Sequence, residues 1–428
     1  MILVVSLIAA SIALYYALGY GSVSIFKKPS IAQLTFFRDY LILTMLAYLY
    51  YLTNESYKSH YILKALPDVE SIRLAAVFAM IFIFTFLICY KLMYRGFSDR
   101  IGRIRIVVYP RKISFLLSVI SPIFLLYFVL ITLAYDASIV GILKFNLEEL
   151  NLRRTQLAQG GGFLSFNKVI IKQWIPMLAY MWYYVYLTEK KLPLGQRVLF
   201  YCTVAMSLLA SVWYFEKSII AFHLLGFVGT YVFAGRTLKK KVVLAAIGAS
   251  ILLVSSMYIA IYQSKIVDSK YLFNILVHRA TSQCVGSIMA IDYYSMNTPE
   301  GYAGVSNLWA SAVGERFQSP YSKIIDHYIP ETQEISGSLS SFVTGEAFGL
   351  FGLFGVVFSG IIIAIYYAFF EASKHSEFTA YLIVPLYAVI FSHFYVASSF
   401  YSFMWPVGFV YALFPFALIT LLSSKYHI

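Results

Sequence analysis

The chain has 428 residues, 60% of them hydrophobic and 12% charged, with a formal net charge of +13 and a mean hydropathy of +0.75. A water-soluble domain is roughly half apolar and about a quarter charged, so this composition excludes an ordinary soluble fold and makes lipid the expected solvent. Tyr (37) and Phe (36) are abundant, and many are expected at the two membrane interfaces.

Apolar runs of membrane-crossing length recur along the chain. Taking roughly 20 apolar residues as one crossing, the sequence predicts about eleven transmembrane helices, at 2–19, 34–52, 74–93, 114–135, 169–187, 198–214, 218–234, 242–262, 347–370, 379–397 and 404–422. The expected fold is an all-α polytopic membrane protein forming a single integral domain over 1–428. Residues 1–26 lack a basic start and a small-residue cleavage site, so the first span is expected to be retained. Cys89 and Cys202 fall in spans and Cys284 in a loop, which predicts small buried hydrophobes rather than a disulfide framework.

Charge sets the orientation. If the segment after the first span is cytoplasmic, that face collects 19 of the 33 Lys and Arg residues and only five acids, a net +14. The opposite face carries −1. This is the positive-inside pattern, with the N-terminus outside and the C-terminus inside. The basic balance therefore marks topology and contact with anionic membrane lipid, notably through Arg95–Lys112. No basic-aromatic platform accompanies it, so nucleic acid is not an expected partner.

Two exterior loops remain, a smaller one at 136–168 and a large one at 263–341. The smaller contains Glu148, Glu149, Arg153, Arg154 and three consecutive glycines. In the larger, 269–295 has helical spacing, with an apolar stripe from Leu272 to Ile291 and Arg279 and Asp292 near its edge. Asn297-Thr298-Pro299-Glu300-Gly301 ends that helix, and shorter helices follow at 305–317 and 321–328. The loop reads as amphipathic helices on a membrane surface.

No nucleotide fingerprint, metal-ligand spacing or Asp-x-Asp pair is present, so neither cofactor nor metal is expected. Glu148 and Glu149 point about 100° apart on a helix, which suits a solvated face better than one ion. The exterior does offer cations near the membrane: Lys217, Arg153, Arg154, Lys172, Arg279 and Arg316. Arg forks match phosphate oxygens and Lys supplies a compact charge. Arg279 interrupts an apolar stripe and is the more suggestive. Lys217 reads equally as a snorkelling partner of Glu216, and Arg154 as a solvated charge. Glu346, where the large loop re-enters the membrane, is either a helix cap or a general base. His393 is either a base or a helix–helix contact, and His223, deeper in a span, reads as structural. The glycines at 349, 352, 355 and 360 predict close helix packing.

The re-entry segment Ser336-Gly337-Ser338…Gly345-Glu346-Ala347-Phe348-Gly349…Gly352…Gly355, the large late loop and the span count together resemble the bacterial O-antigen (oligosaccharide repeat-unit) polymerases. Lys217 stands where many of those proteins carry Arg. The resemblance implies a GT-C-like glycosyltransferase architecture in the inner membrane, with its N-terminus and both exterior loops in the periplasm. It implies undecaprenyl-diphosphate-linked oligosaccharides as donor and acceptor, and a chain-length regulator as a partner protein. On that reading Glu346 or His393 serves as base, and Arg279, Lys217, Arg316 and Arg154 hold the diphosphate or sugar. The alternatives are an O-antigen ligase, which shares the donor, and a lipid-linked oligosaccharide flippase. The flippase alternative requires charges buried within the membrane.

Overall fold

The computed structural model describes residues 2–18, 30–53, 68–101, 106–134, 167, 169–189, 191–213, 217–236, 248, 284–317, 319–328, 341–373, 388, 400–404 and 407–426. Helix α1 is Ile2–Leu18. Helix α2, Ile31–Phe36, runs through a π-helical stretch, Phe37–Met45, into α3, Leu46–Thr53. Helix α4, Val69–Ile101, and α5, Pro110–Ala134, flank the short strand β1, Ile106–Val108. A π-helical turn, Ile170–Trp174, leads into α6, Ile175–Thr188, followed by α7, Leu194–Trp213, and α8, Lys217–Phe233. Helices α9, Val285–Met296, α10, Asn307–Ala312, and α11, Pro320–Tyr328, precede the long α12, Val343–Ser373. The chain ends with α13, Tyr401–Met404, α14, Val407–Ser423, and strand β2, Ser424–Tyr426.

Four of the described helices are long and apolar enough to cross a membrane: Val69–Ile101, Pro110–Leu133, Leu194–Ser211 and Val343–Ser373. By length and composition these are the helices of a membrane protein. The predicted spans at 242–262 and 379–397 lie almost wholly outside the described residues. At roughly 1.5 Å per residue the 33-residue α4 is about 50 Å long, well beyond a hydrocarbon core of roughly 30 Å.

One departure from an all-α chain is the antiparallel pairing of β1 with β2, in register Ile106↔Tyr426, Val107↔Lys425 and Val108↔Ser424. Three consecutive β-branched residues, Ile106-Val107-Val108, favour an extended segment there. The pairing ties the α4–α5 connection to the end of α14 and fixes one end of the bundle.

Helices α4 and α12 run parallel in close contact. Phe78 meets Phe348, and further along Phe97 meets Phe369. Between them a Cβ on Gly360 would come within 3.0 Å of the Phe82 carbonyl, so a glycine permits the approach. Much of the aromatic content is spent here rather than at the interfaces. Phe36, Phe82, Phe86, Tyr90 and Tyr367 are fully buried, and Phe36 lies 4.3 Å from Phe86 between ring centroids. A second layer, α5–α8, is joined by polar ties: Trp182 Nε1 donates to Ser121 Oγ at 2.7 Å.

The sequence pattern assigns Arg38 and Asp39 to the basic membrane face. The structure buries both inside the continuous helical run 31–53, as an ion pair on the π-helical stretch. The Asp39 backbone carbonyl accepts from Thr44 Oγ1 at 2.7 Å. A buried ion pair can persist only if its remaining polar atoms are also satisfied.

Candidate functional site

The end of the bundle away from the strands is covered by α9, α10 and α11, which form a cap over the ends of α3, α4 and α12. Glycines set how closely the cap sits. A Cβ on Gly345 would overlap the Ser287 backbone of α9, and one on Gly349 would reach 2.8 Å from the Tyr294 ring. Ser287 Oγ in turn lies 3.2 Å from the Tyr48 hydroxyl in the first turn of α3.

Helix α12 begins beneath this cap and is broken after two turns, where Phe351 leaves helical geometry and Gly352 adopts φ 61°, ψ −149°. That backbone region is accessible essentially to glycine alone. A break exposes carbonyls that a continuous helix would use. One is recovered from the cap, since the Glu300 N–H donates to the Gly349 carbonyl at 2.9 Å.

The short first part of α12, residues 343–350, is wholly buried and carries Glu346 in its first turn. Glu346 is 5% exposed, and the helix N-terminus favours its negative charge. Tyr321 of α11 is buried against it. Burial, then the nearby Glu346 carboxylate, push the Tyr321 phenol well above its ordinary value, while Ser341 and the Glu346 backbone act in the other direction. The Tyr321 oxygen stands beside these groups without meeting hydrogen-bond geometry, and neither does Thr344 Oγ1. Of these two buried hydroxyls, Tyr321 is the one set near the Glu346 carboxylate, while Thr344 lies two residues before it on the same helix. The cluster is therefore an acceptor (Glu346) with the Tyr321 phenol beside it, and Ser341, whose O–H donates to the Phe342 carbonyl at 2.9 Å, adjoins that phenol.

Two further carboxylates brace the cap. Glu300 accepts from the Tyr294 hydroxyl at 2.9 Å and from Lys323 Nζ at 2.8 Å. Asp292 accepts from the hydroxyls of Ser71 and Tyr328, tying α9 to α4 and to α11. His327 packs edge-on against Tyr293 and Tyr328.

Of the residues singled out in sequence, Glu346 lies at the centre of this cluster. Arg316 is exposed beyond the end of α10, and among the described residues no contact joins it to Glu346. Lys217 opens α8, its side chain outside the described set. Arg279, Arg154 and His393 lie outside the described residues. Lys172 sits on the π-helical turn before α6 and is partly buried. His223 is fully buried, with Nδ1 2.8 Å from the Tyr180 hydroxyl and Nε2 3.0 Å from Ser207 Oγ. Those contacts join α6, α7 and α8, in keeping with a structural histidine. Sequence reading passed over Tyr321, Lys323 and Thr344. A helix as amphipathic as α11, with Tyr321, Ile324 and Ile325 on its buried side, marks Tyr321 as inward-facing, but nothing local shows what it faces.

No protein-family model, curated protein or solved structure matches this chain.

Proposed function

We propose that the protein is a membrane glycosyltransferase that polymerises undecaprenyl-diphosphate-linked oligosaccharide repeat units on the capped face of the membrane. The observation that carries the reading is the buried Glu346 carboxylate beneath a helical cap, beside the buried Tyr321 phenol. A hydroxyl on the acceptor's terminal sugar attacks the donor's anomeric carbon. Its proton passes to Glu346, the new glycosidic C–O bond forms, and the bond to diphosphate breaks with its electron pair leaving on undecaprenyl diphosphate. Tyr321 holds the incoming hydroxyl through its own O–H group. Cations at Arg279, Lys217 and Arg316 stabilise the leaving diphosphate electrostatically, Arg154 contributes to substrate binding from the smaller loop, and His393, near the outer end of its span, is the alternative base. The capped face is the periplasmic one and the bundle sits in the inner membrane, with the span count and orientation set out above.

The test is a purified Glu346→Gln variant supplied with lipid-linked repeat units. Loss of a general base lowers turnover by roughly 10²–10⁴-fold, so polymer should fall to traces while the melting temperature stays near that of the unaltered protein. Long polymer from a folded E346Q protein would remove Glu346 from the reaction.

The buried Arg38–Asp39 pair is the observation that favours a second reading, a carrier that moves lipid-linked oligosaccharide. Polymer made by purified protein without a membrane gradient separates the two. An O-antigen ligase would instead transfer the glycan to a lipid A-core acceptor in the same assay.

A further inference from the structure

At the strand-paired end of the bundle, away from the cap, a cavity of about 540 Å³ lies where α6 ends, α7 begins and α8 ends. Its wall includes Arg197, Arg236, Glu189 and Tyr186. The two arginines are placed by backbone geometry rather than by chance of a surface rotamer. Helix α8 closes with Gly235 at φ 75°, its N–H on the Val232 carbonyl at 3.0 Å and the Arg236 N–H on the Tyr231 carbonyl at 3.3 Å. This is a Schellman closure, which fixes the direction in which Arg236 leaves the helix. Arg236 Nη2 then donates to the Leu187 carbonyl at 2.8 Å, one of the open carbonyls ending α6. Arg197, in the first turn of α7, donates Nε to the Leu192 carbonyl at 2.9 Å. Each of these bonds uses one of a guanidinium's five N–H donors, which leaves donors to spare on both arginines of the cavity wall.

The surroundings are those of a headgroup site. Leu194, Arg197, Val198 and Tyr201 follow i, i+3, i+4, i+7 spacing and share one face of α7. Leu194 is 77% exposed and Tyr201 58%, and in a membrane protein an exposed apolar stripe faces acyl chains. Tyr186 stacks on Phe200 at 4.8 Å, and the Tyr201 ring lies 5.0 Å from Phe200, as expected of rings at a membrane interface. A lone cation pair would suit any phosphate, but Glu189 on the same wall adds a site for a positive group.

We infer that the cavity walled by Arg197, Arg236 and Glu189 binds a glycerophospholipid headgroup that carries both a phosphodiester and a protonated amine. The phosphodiester takes the two guanidinium forks, the ammonium takes Glu189, and the acyl chains run along the Leu194–Val198–Tyr201 face. The site is independent of the chemistry proposed at Glu346 and lies at the other end of the bundle.

The test uses the full-length protein, delipidated in detergent and exposed to equimolar phosphatidylethanolamine and phosphatidylglycerol, with bound lipid read by native mass spectrometry. Phosphatidylethanolamine should be retained preferentially. R197Q/R236Q should lose it by roughly tenfold or more, since charge-assisted phosphate contacts are lost from both forks. R197K/R236K, which keeps both charges, should retain part of it and shows that loss in the glutamine variant is not unfolding. Glu189→Gln should keep phosphate binding and erase the preference between the two lipids. Inorganic phosphate in the millimolar range should not displace the lipid. An unchanged lipid complement in R197Q/R236Q overturns the site. Displacement by inorganic phosphate overturns the lipid assignment in favour of a free phosphate, and an unchanged preference in E189Q overturns the amine assignment.

Discussion

The Tyr294 hydroxyl donates to Glu300, and burial followed by that hydrogen bond raises its phenol far above the ordinary 10.0. Folding therefore holds Tyr294 protonated, while the unfolded phenol ionises near pH 10. Its contribution to stability is complete below that value and is lost as pH climbs above it, because the unfolded chain then binds fewer protons than the folded one. Tyr328 on Asp292 is raised in the same direction, by burial first and the carboxylate second. The expected outcome is a cap whose melting temperature is level through neutrality and falls between about pH 9 and about pH 11. Tyr294→Phe should lose about 1–2 kcal/mol at neutral pH, leaving Glu300 one donor short, and should show a shallower alkaline fall. Lys323 shares that carboxylate and Tyr293 and Tyr321 stand near the phenol, so the difference between the two proteins isolates Tyr294. An identical alkaline profile would show that the Tyr294 bond does not brace the cap. At this scale the sequence was legible where a residue broke a pattern. Glu346 did so as an acid opening an apolar run, whereas Tyr321 is an ordinary residue whose importance comes from what the fold sets beside it.

Helices announced themselves more plainly than residues. The spans predicted at 2–19, 114–135, 198–214 and 218–234 agree with α1, α5, α7 and α8 to within four residues at each end. The predicted 74–93 became the longer α4, because apolar content ends before helical geometry does. The predicted helix at 305–317 contracts to α10 with a 3-10 turn before it, since Ser306 caps it and Gly314, at φ 75°, ends it. The glycines at 349, 352, 355 and 360 predict close packing, and a Cβ at 349 or 360 would crowd a neighbouring element, but the break at Gly352 depends on a backbone angle that spacing does not encode. The packing can be tested directly. An alanine Cβ at position 345 has to displace the Ser287 backbone, so Gly345→Ala should destabilise the cap by about 1–3 kcal/mol. Gly96 on α4 has nothing within 4 Å of an added Cβ, and Gly96→Ala is the matched control expected to be neutral or slightly stabilising. Equal melting temperatures for the two variants would mean that α9 does not rest on α12 through Gly345.

Across the whole molecule the two ends differ in charge as well as in structure. The strand-paired end gathers Arg95, Arg100, Arg111, Lys112, Lys191, Arg197 and Arg236 against Asp99, Glu189 and Glu371, while the cap carries Asp68, Glu70, Asp292, Glu300, Glu315 and Asp326 with Arg73, Arg316 and Lys323. Hydropathy and charge counting reach this division without coordinates, because lipid penalises exposed backbone and buried charge so strongly that spans and basic faces are written into composition. The cap's assembly was not legible in the same way. It depends on contacts between residues far apart in sequence, such as Ser71 with Asp292 and Tyr48 with Ser287. The division makes a direct prediction of orientation. If the basic end is cytoplasmic, a single cysteine at Arg316 should react with a membrane-impermeant maleimide in intact spheroplasts, and one at Lys191 only after permeabilisation. Both positions are exposed, so access depends on sidedness rather than burial. Cys89, Cys202 and Cys284 are free thiols and must first be replaced, with Cys284 as Ala or Ser because it is buried at the start of α9. Labelling at Lys191 in intact cells, with Arg316 protected, would invert the molecule. It would place the Glu346 cluster in the cytoplasm, where a lipid-linked repeat unit presented from the other face could not reach it.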